Sequence, residues 1–429
     1  MSTLSWSSTK LLRYAIAVVG PVSVAAIHLT LSLLMLRVLS PAEFGVFTFL
    51  LVAAQFSWGI WSALFCAPLP VLLLETSIAE QRIGINVLRC INWIAAAFSI
   101  VVFFLVAERL GLSTSASICF ALYGAVALIR WFGRSFAYVR CQQLRAVASD
   151  LAYSVSLLAM LAVTIRLLGW PPQIACYFSM LIGAIIGVLP IGKSYFSLHV
   201  GEGWGVAFAR YRLIWKDQAR WALLGVLTTE ATANAHVYIV TLLQGPSAFA
   251  PIAASSLLMR PINVAQNALT DFERPQMARL IAGGQFSAVR QSLMLFRAAL
   301  AAIWIATVLI SVVIFLWLPR LLFPPTYDLD YVAAATVLWT VFAALRLLQT
   351  PESALLQAAG EFKDLAMASV YSSIGSVGAV WMLVMSAGAL WSIAGLCLGA
   401  IIYLGATLYF ARKWLRELSR LERAAECNG

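Results

Sequence analysis

The chain has 429 residues, of which 62% are hydrophobic and only 11% charged, with a mean hydropathy of +0.90. A soluble domain carries about 25% charged residues, so this composition excludes an ordinary water-soluble protein and points to an all-α, polytopic membrane protein. The net charge of +11 would suggest nucleic acid in a soluble chain, but here the basic residues fall in short loops between apolar runs. Membrane orientation accounts for them, and no nucleic-acid partner is expected.

Taken in chain order, twelve stretches are long and apolar enough to cross about 30 Å of hydrocarbon. They lie near 14–36, 45–66, 90–106, 113–129, 151–168, 174–191, 222–243, 249–269, 298–318, 331–348, 365–385 and 390–410. The first follows Lys10 and Arg13, as a secretory signal would, but it is too long and lacks a small-residue cleavage site, so it is expected to be retained. The longest polar interruption, 192–220, divides the spans six and six. The expected organisation is a six-helix lobe over 1–191, a cytoplasmic connector over 192–220 and a second six-helix lobe over 221–429. Aromatic and basic residues mix from Trp204 to Lys216, the composition of a segment that connects two bundles along a membrane surface.

With the N-terminus inside, 23 of the 29 Lys and Arg fall in cytoplasmic segments and four (Arg37, Arg109, Arg166 and Arg320) outside, while Arg260 and Arg346 lie within spans. That bias puts both termini in the cytoplasm. Trp131, Trp170, Trp221, Trp317 and Trp414 near span ends fit an interfacial belt. The seven cysteines (Cys66, Cys90, Cys119, Cys141, Cys176, Cys397 and Cys427) show no C-x-x-C spacing and read as small apolar residues, neither disulfides nor metal ligands. No metal site or cofactor is expected.

Polar residues inside the spans carry the functional information, because an ionisable group at bilayer depth costs roughly 2.5–3.5 kcal/mol on insertion scales and survives where it faces protein or water. The seventh span holds Thr228-Thr229-Glu230-Ala231-Thr232-Ala233-Asn234-Ala235-His236, which sets Glu230 and Asn234 on one helical face. The eighth holds Arg260, Asn263, Asn267, Thr270 and Arg274 at spacings of three, four, three and four, a stripe that lipid would not tolerate. Gln55, Trp58 and Ser62 on the second span and His28 and Ser32 on the first add polar groups, and Pro21 and Pro261 allow kinks. Arg346, followed by Thr350, Ser353 and Gln357, forms a further stripe on the tenth span that either lines a cavity or snorkels to the interface.

Each group has a plainer reading beside the functional one. Glu230 and Arg260 could neutralise one another as a structural ion pair, or Arg260 could attract an anionic group while Glu230 takes part in proton or sodium coupling. His28 is a hydrogen-bonded interior histidine or a proton carrier. His236 sits nearer the outer end and carries less functional weight.

The halves also read as copies. Shifting the chain by 205 residues aligns Pro41 with Pro246, Phe44 with Phe249, Pro70 with Pro275 and Ala96-Ala97 with Ala301-Ala302. Six spans per copy makes the repeats parallel, the arrangement of a duplicated transporter with substrate between two rocking bundles.

Four short motifs then bear a resemblance: Leu39-Ser40-Pro41-Ala42-Glu43-Phe44-Gly45 after the first span, Arg134 through Asp150 between spans four and five, Leu243-Gln244-Gly245-Pro246 with Ala248, and Leu356 through Lys363. Together they resemble the Wzx-like polysaccharide flippases, of the superfamily that also contains MATE exporters and lipid II flippases. The resemblance covers nearly the whole chain. It implies two six-helix lobes around a cavity lined largely by spans one, two, seven and eight. The implied activity is movement of undecaprenyl-diphosphate-linked oligosaccharide repeat units across the bacterial inner membrane by ion-coupled alternating access. Implied partners are the lipid-linked substrate, the bilayer, and polysaccharide polymerase and chain-length or export proteins.

On this reading Arg260, Asn263, Asn267, Asn234, Gln55 and Arg346 face substrate, and Glu230 and His28 are candidates for coupling H+ or Na+. Two alternatives stay open. A MATE-type exporter of small cations would share the fold but suits a cavity dominated by carboxylates. A membrane polymerase or ligase would need reactive groups outside, where only Asp328 and Asp330 form a close acidic pair near Arg320, and His199 falls on the wrong side. No nucleophile triad, metal-ligand set or G-x-x-x-x-G-K-[ST] loop occurs, so neither an enzyme nor an intrinsic ATP-driven pump is expected.

Overall fold

The structure is a computed structural model that describes residues 8–72, 78–140, 142–196 and 204–427. Cys141 and His199 lie outside the described residues, as do the side chains of Lys10, Arg13, Lys193, Trp221, Arg420, Arg423 and Cys427. Among the described residues the regular elements are all helical. The long ones are α1 (Ser8–Val38), α2 (Pro41–Trp61), α3 (Ile78–Arg109), α4 (Thr114–Val139), α5 (Gln143–Ala162), α6 (Pro172–Val188), α7 (Trp204–Ile214), α8 (Arg220–Gln244), α9 (Pro246–Ser256), α10 (Arg260–Ala282), α11 (Phe286–Trp317), α12 (Leu329–Ala358), α13 (Phe362–Ala387) and α14 (Ser392–Cys427).

Among the described residues, eleven spans are long and apolar enough to cross a membrane, which makes this a multi-pass membrane protein. The expected seventh span, α8, is a continuous helix of 25 residues, about 37 Å at 1.5 Å per residue. Its length suffices; the run from Thr228 to His236 dilutes its hydropathy and leaves it outside the eleven. The eighth span is broken where Pro261 stands. α9 ends at Ser256, a single 3-10 turn covers Leu257–Met259, and α10 restarts at Arg260 with the proline in its first turn, where a missing N–H costs nothing. Pro21, in contrast, sits inside an uninterrupted α1.

Local chemistry explains the junction between α1 and α2. The Ser40 N–H and hydroxyl both donate to the Glu43 carboxylate (2.9 and 2.8 Å), and the Glu43 N–H donates back to Ser40 Oγ at 3.3 Å. This reciprocal box satisfies otherwise orphaned donors of a helix start, with Pro41 at the first helical position. Gly45 is required for a different reason: a Cβ there would lie 1.9 Å from the carbonyl oxygen of Pro246. Pro41 opens α2 as Pro246 opens α9, and Phe44 and Phe249, the aligned aromatics three residues on, are both buried.

By its internal packing the chain divides into two compact units, one of residues 1–39 and 46–227, the other of 40–45 and 228–429. The division falls inside α8, and the segment expected as a separate connector groups with the first unit. There α7 is a helix whose Tyr211 donates to the Leu64 carbonyl at 3.3 Å and stacks on Phe65. Burial pushes the Tyr211 phenol up to about 12.

In the first unit α5 packs on α6 through small residues, with Gly183 and Gly187 set against Tyr153. In the second, α13 meets α14 where Gly395 and Gly399 lie against Val380 and Ser376. Small residues let backbones approach closely, and close van der Waals packing is what associates helices in lipid. Three arginines counted above as loop charges, Arg89, Arg130 and Arg134, are instead buried within α3 and α4.

Candidate functional site

The first unit buries a charged cluster. Asp150 of α5 accepts from Arg130 Nη1 on Oδ1 and from Arg134 Nη2 of α4 on Oδ2, both at 2.8 Å, and Arg134 Nε forms an ion-pair contact with Oδ1 at 2.8 Å. The carboxylate is fully buried, with side-chain exposures of 4% for Arg130 and 10% for Arg134. Arg130 also lies 4.4 Å over the ring of Tyr153, and α1 reaches the cluster at Gly20, where a Cβ would stand 2.6 Å from Asp150 Oδ2.

Tyr153 continues the polar chain, its hydroxyl 2.9 Å from His28 Nε2. His28 is buried, stacked on Tyr153 and edge-on to Trp58, which in turn stacks on Trp131. His28 is therefore hydrogen-bonded in the interior of this unit. Gln55, on α2, is exposed.

The second unit contains a polar pocket of about 270 Å³. From α12 it takes Arg346, Gln349, Thr350, Ser353 and Gln357; from α10, Gln266, Asn267 and Thr270; and from α8, Thr229 and Thr232. Ser369 of α13 and Tyr403 of α14 close it. Helical periodicity produces the α12 wall, since residues three and four apart share a face. Arg346 lines this pocket.

The wall is fixed by hydrogen bonds. Gln266 Nε2 donates to Thr350 Oγ1 at 2.6 Å, the Thr350 hydroxyl donates to the Arg346 carbonyl at 2.7 Å, and Gln357 Nε2 donates to Ser353 Oγ at 3.3 Å. Ser353 also lies 3.2 Å from the Tyr403 hydroxyl, and Arg274 Nη1 donates to Gln357 Oε1 at 2.9 Å. Arg346 Nε has no hydrogen-bond partner among the described residues. Arg346 is the pocket's one charged residue among those described as lining it, and none of them is a carboxylate.

Glu230 sits one residue beyond Thr229. Its carboxylate accepts from Asn234 Nδ2 at 3.0 Å and from the Tyr238 hydroxyl at 2.6 Å, so both oxygens are engaged along α8 itself. Of the residues expected to face substrate, Arg346 and Asn267 meet in the pocket; Arg260 and the exposed Asn263, a turn or more nearer the N-terminus of α10, are not among those lining it. Sequence reasoning missed Gln266, Gln349, Ser369 and Tyr403. Gln266 adjoins Asn267 of the expected stripe, and the polar residues of α13 and α14 stand singly in apolar runs. It also missed Asp150, although Arg134 and Asp150 are the first and last residues of one of the four motifs. His236 is buried against Trp339 and Phe249 and is not among the residues lining the polar pocket.

No family model matches the chain, and no curated protein does. Solved structures do. An inward-facing multidrug resistance MATE family transporter of the MOP superfamily superposes with a TM-score of 0.68 at 12% identity, over 94% of this chain and 99% of that one. The lipid II flippase MurJ in its inward closed conformation gives 0.70 at 10% identity, over 94% and 87%. A mutant form of the Vibrio cholerae MATE transporter VcmN gives 0.59 at 15% identity, over 95% and 96%. The chain has the fold shared by MATE transporters and MurJ. At these identities the likeness concerns the fold.

Proposed function

We propose that this protein is a flippase, moving a diphosphate-linked, lipid-anchored oligosaccharide between leaflets by ion-coupled alternating access. The reading places it in the bacterial inner membrane with both termini cytoplasmic, alongside the polymerase and export proteins of surface polysaccharide synthesis. The observation that carries it is the pocket of the second unit: one guanidinium among amides and hydroxyls, with no carboxylate among its lining residues. Guanidinium recognises phosphate oxygens, and amides with hydroxyls recognise sugar hydroxyls. At about 270 Å³ the pocket lies just under the usual 300–1,000 Å³ of small-ligand sites. It therefore suits a head-group fragment while the prenyl chain stays in lipid.

Coupling is assigned to Glu230, the carboxylate next to this pocket, with His28 as a second candidate in the first unit. H+ and Na+ both suit a carboxylate held by a phenol and an amide. A MATE-type exporter of small cations is the second reading, favoured by the fold and by Glu230 itself.

Complementation of a flippase-deficient strain separates the two. Arg346→Ala should lower surface polymer at least about tenfold, with partial recovery in Arg346→Lys, because a point charge replaces a planar fork. Normal polymer from the alanine variant removes the proposed role. Raised tolerance to cationic drugs on overproduction, without polymer, transfers the protein to the second reading.

A further inference from the structure

The second unit has another cavity, larger than the polar pocket and separate from it. It measures about 670 Å³ and runs between α11, α12 and α14. Its walls are apolar for most of their length, with Leu300, Trp304, Leu347, Leu348, Leu404 and Leu408 among them. One end is charged: Arg297 pairs with Glu352 there, and Arg412 lines the same cavity.

The chain direction puts these three at one level. Successive spans run oppositely, so the first half of α11, the last turns of α12 and the far part of α14 reach the same membrane face. From Arg297 to Trp304 is about 10 Å along the helix and from Leu415 back to Leu404 about 16 Å, at 1.5 Å per residue. A single leaflet contributes half of the roughly 30 Å hydrocarbon core, so the groove has the depth of one leaflet. Leu348 is 59% exposed, and α11 is the least buried of the eleven apolar spans among the described residues.

The charged end is more specific than a basic patch. Glu352 is buried, with 3% side-chain exposure, and its Oε1 accepts from Arg297 Nη2. Its Oε2 has no hydrogen-bond partner among the described residues. A buried carboxylate oxygen without a donor is costly, and it calls for a cation or N–H group from outside the described side chains. Arg297 is 47% exposed and Arg412 is exposed, so both guanidiniums can receive an anion. The end of the groove thus offers two donors for a phosphate and one acceptor for an ammonium.

We propose that this groove binds an aminophospholipid of the phosphatidylethanolamine type. One acyl chain lies along Leu348 and Leu404, the phosphate meets Arg297 and Arg412, and the ammonium donates to Glu352 Oε2. This site is independent of the flippase reading and does not stand or fall with it.

The full-length protein, purified in detergent, tests it by native mass spectrometry with phosphatidylethanolamine, phosphatidylglycerol and a long-chain polyprenyl phosphate, each titrated separately. Wild type should hold phosphatidylethanolamine about tenfold more tightly than either other lipid, a difference of about 1.4 kcal/mol. Glu352→Gln should bring that ratio close to one by weakening phosphatidylethanolamine, and Ala301→Trp, which fills the groove, should weaken all three. Selectivity is a ratio within one preparation, so reduced yield of a variant leaves the readout intact. Equal binding of the two phospholipids by wild type, preference for polyprenyl phosphate, or unchanged selectivity in Glu352→Gln each overturns the proposal.

Discussion

Charge is handled differently by Asp150 in the first unit and Arg346 in the second. Around Asp150 two guanidiniums share a single carboxylate at 2.8 Å, with no exposure of the acid. Arg346 shares its pocket with neutral amides and hydroxyls and no carboxylate among the described lining residues, and its Nε, like those of Arg130 and Arg134, has no hydrogen-bond partner among the described residues. Taking ions out of water is offset only when geometry and hydrogen bonds are complete. In the first arrangement the carboxylate is met by two guanidiniums, Arg130 Nη1 on Oδ1 and Arg134 Nη2 on Oδ2, and the charges balance within the cluster, which serves structure. The second leaves binding capacity for something else, and its chemistry is that of a site.

Substitutions sharpen this contrast. The largest effect is expected from Asp150→Asn, which strands two buried guanidiniums and should cost about 3–5 kcal/mol. Thermal unfolding of the purified protein should register it as a strongly lowered midpoint and a poor monodisperse yield. A midpoint like that of wild type would mean that the cluster contributes no stability.

Glu230→Gln comes next. Two charge-assisted hydrogen bonds, from Tyr238 and Asn234, become neutral or are lost, for about 1–3 kcal/mol. If Glu230 is the coupling group, transport into vesicles should also lose its dependence on an imposed H+ or Na+ gradient. Retained gradient dependence in a folded Glu230→Gln protein moves coupling elsewhere, with His28 the next group to test.

The smallest stability effect is expected for Arg346→Met, within about 0.5 kcal/mol of wild type, because no paired charge is stranded and the stem is replaced by similar apolar bulk. The same variant should nevertheless fail to support polymer. A large drop in its melting temperature would place Arg346 with Asp150 as a structural charge, erasing the difference between the two.

Much of this was legible in the sequence where periodicity carries the signal. The apolar runs located the spans, including α8, whose polar cluster keeps it out of the eleven most apolar helices. The spacing Arg346, Thr350, Ser353 and Gln357 marked one wall of the pocket correctly, because a single helix face is a local property. The other walls depend on how α10, α13 and α14 turn toward α12. A lone Ser369 or Tyr403 in an apolar run gives no hint of that rotation.

The stripe on α10 was read correctly as polar, but only its middle, Asn267 and Thr270, lines the pocket. Asp150 was missed for a related reason. Its partners Arg130 and Arg134 are 20 and 16 residues away, across a helix–helix corner, and basic residues near span ends look like loop charges until the fold buries them. The Ser40–Glu43 box was present in the motif as S-P-A-E, and its mechanical meaning as a helix start shows only in its hydrogen bonds.

α12 is a wall common to the polar pocket and the apolar groove: Arg346 and Thr350 belong to one, and the neighbouring Leu347 and Glu352 to the other. Adjacent residues on one helical rod cannot move independently, and α12 stays continuous through Pro351, between Thr350 and Glu352. A rotation of this rod that widens one cavity must reshape the other, so any occupant that prefers one rotational setting shifts affinity at the opposite face by an equal factor, in both directions. The lipid surroundings and the cargo would then be read by the same helix.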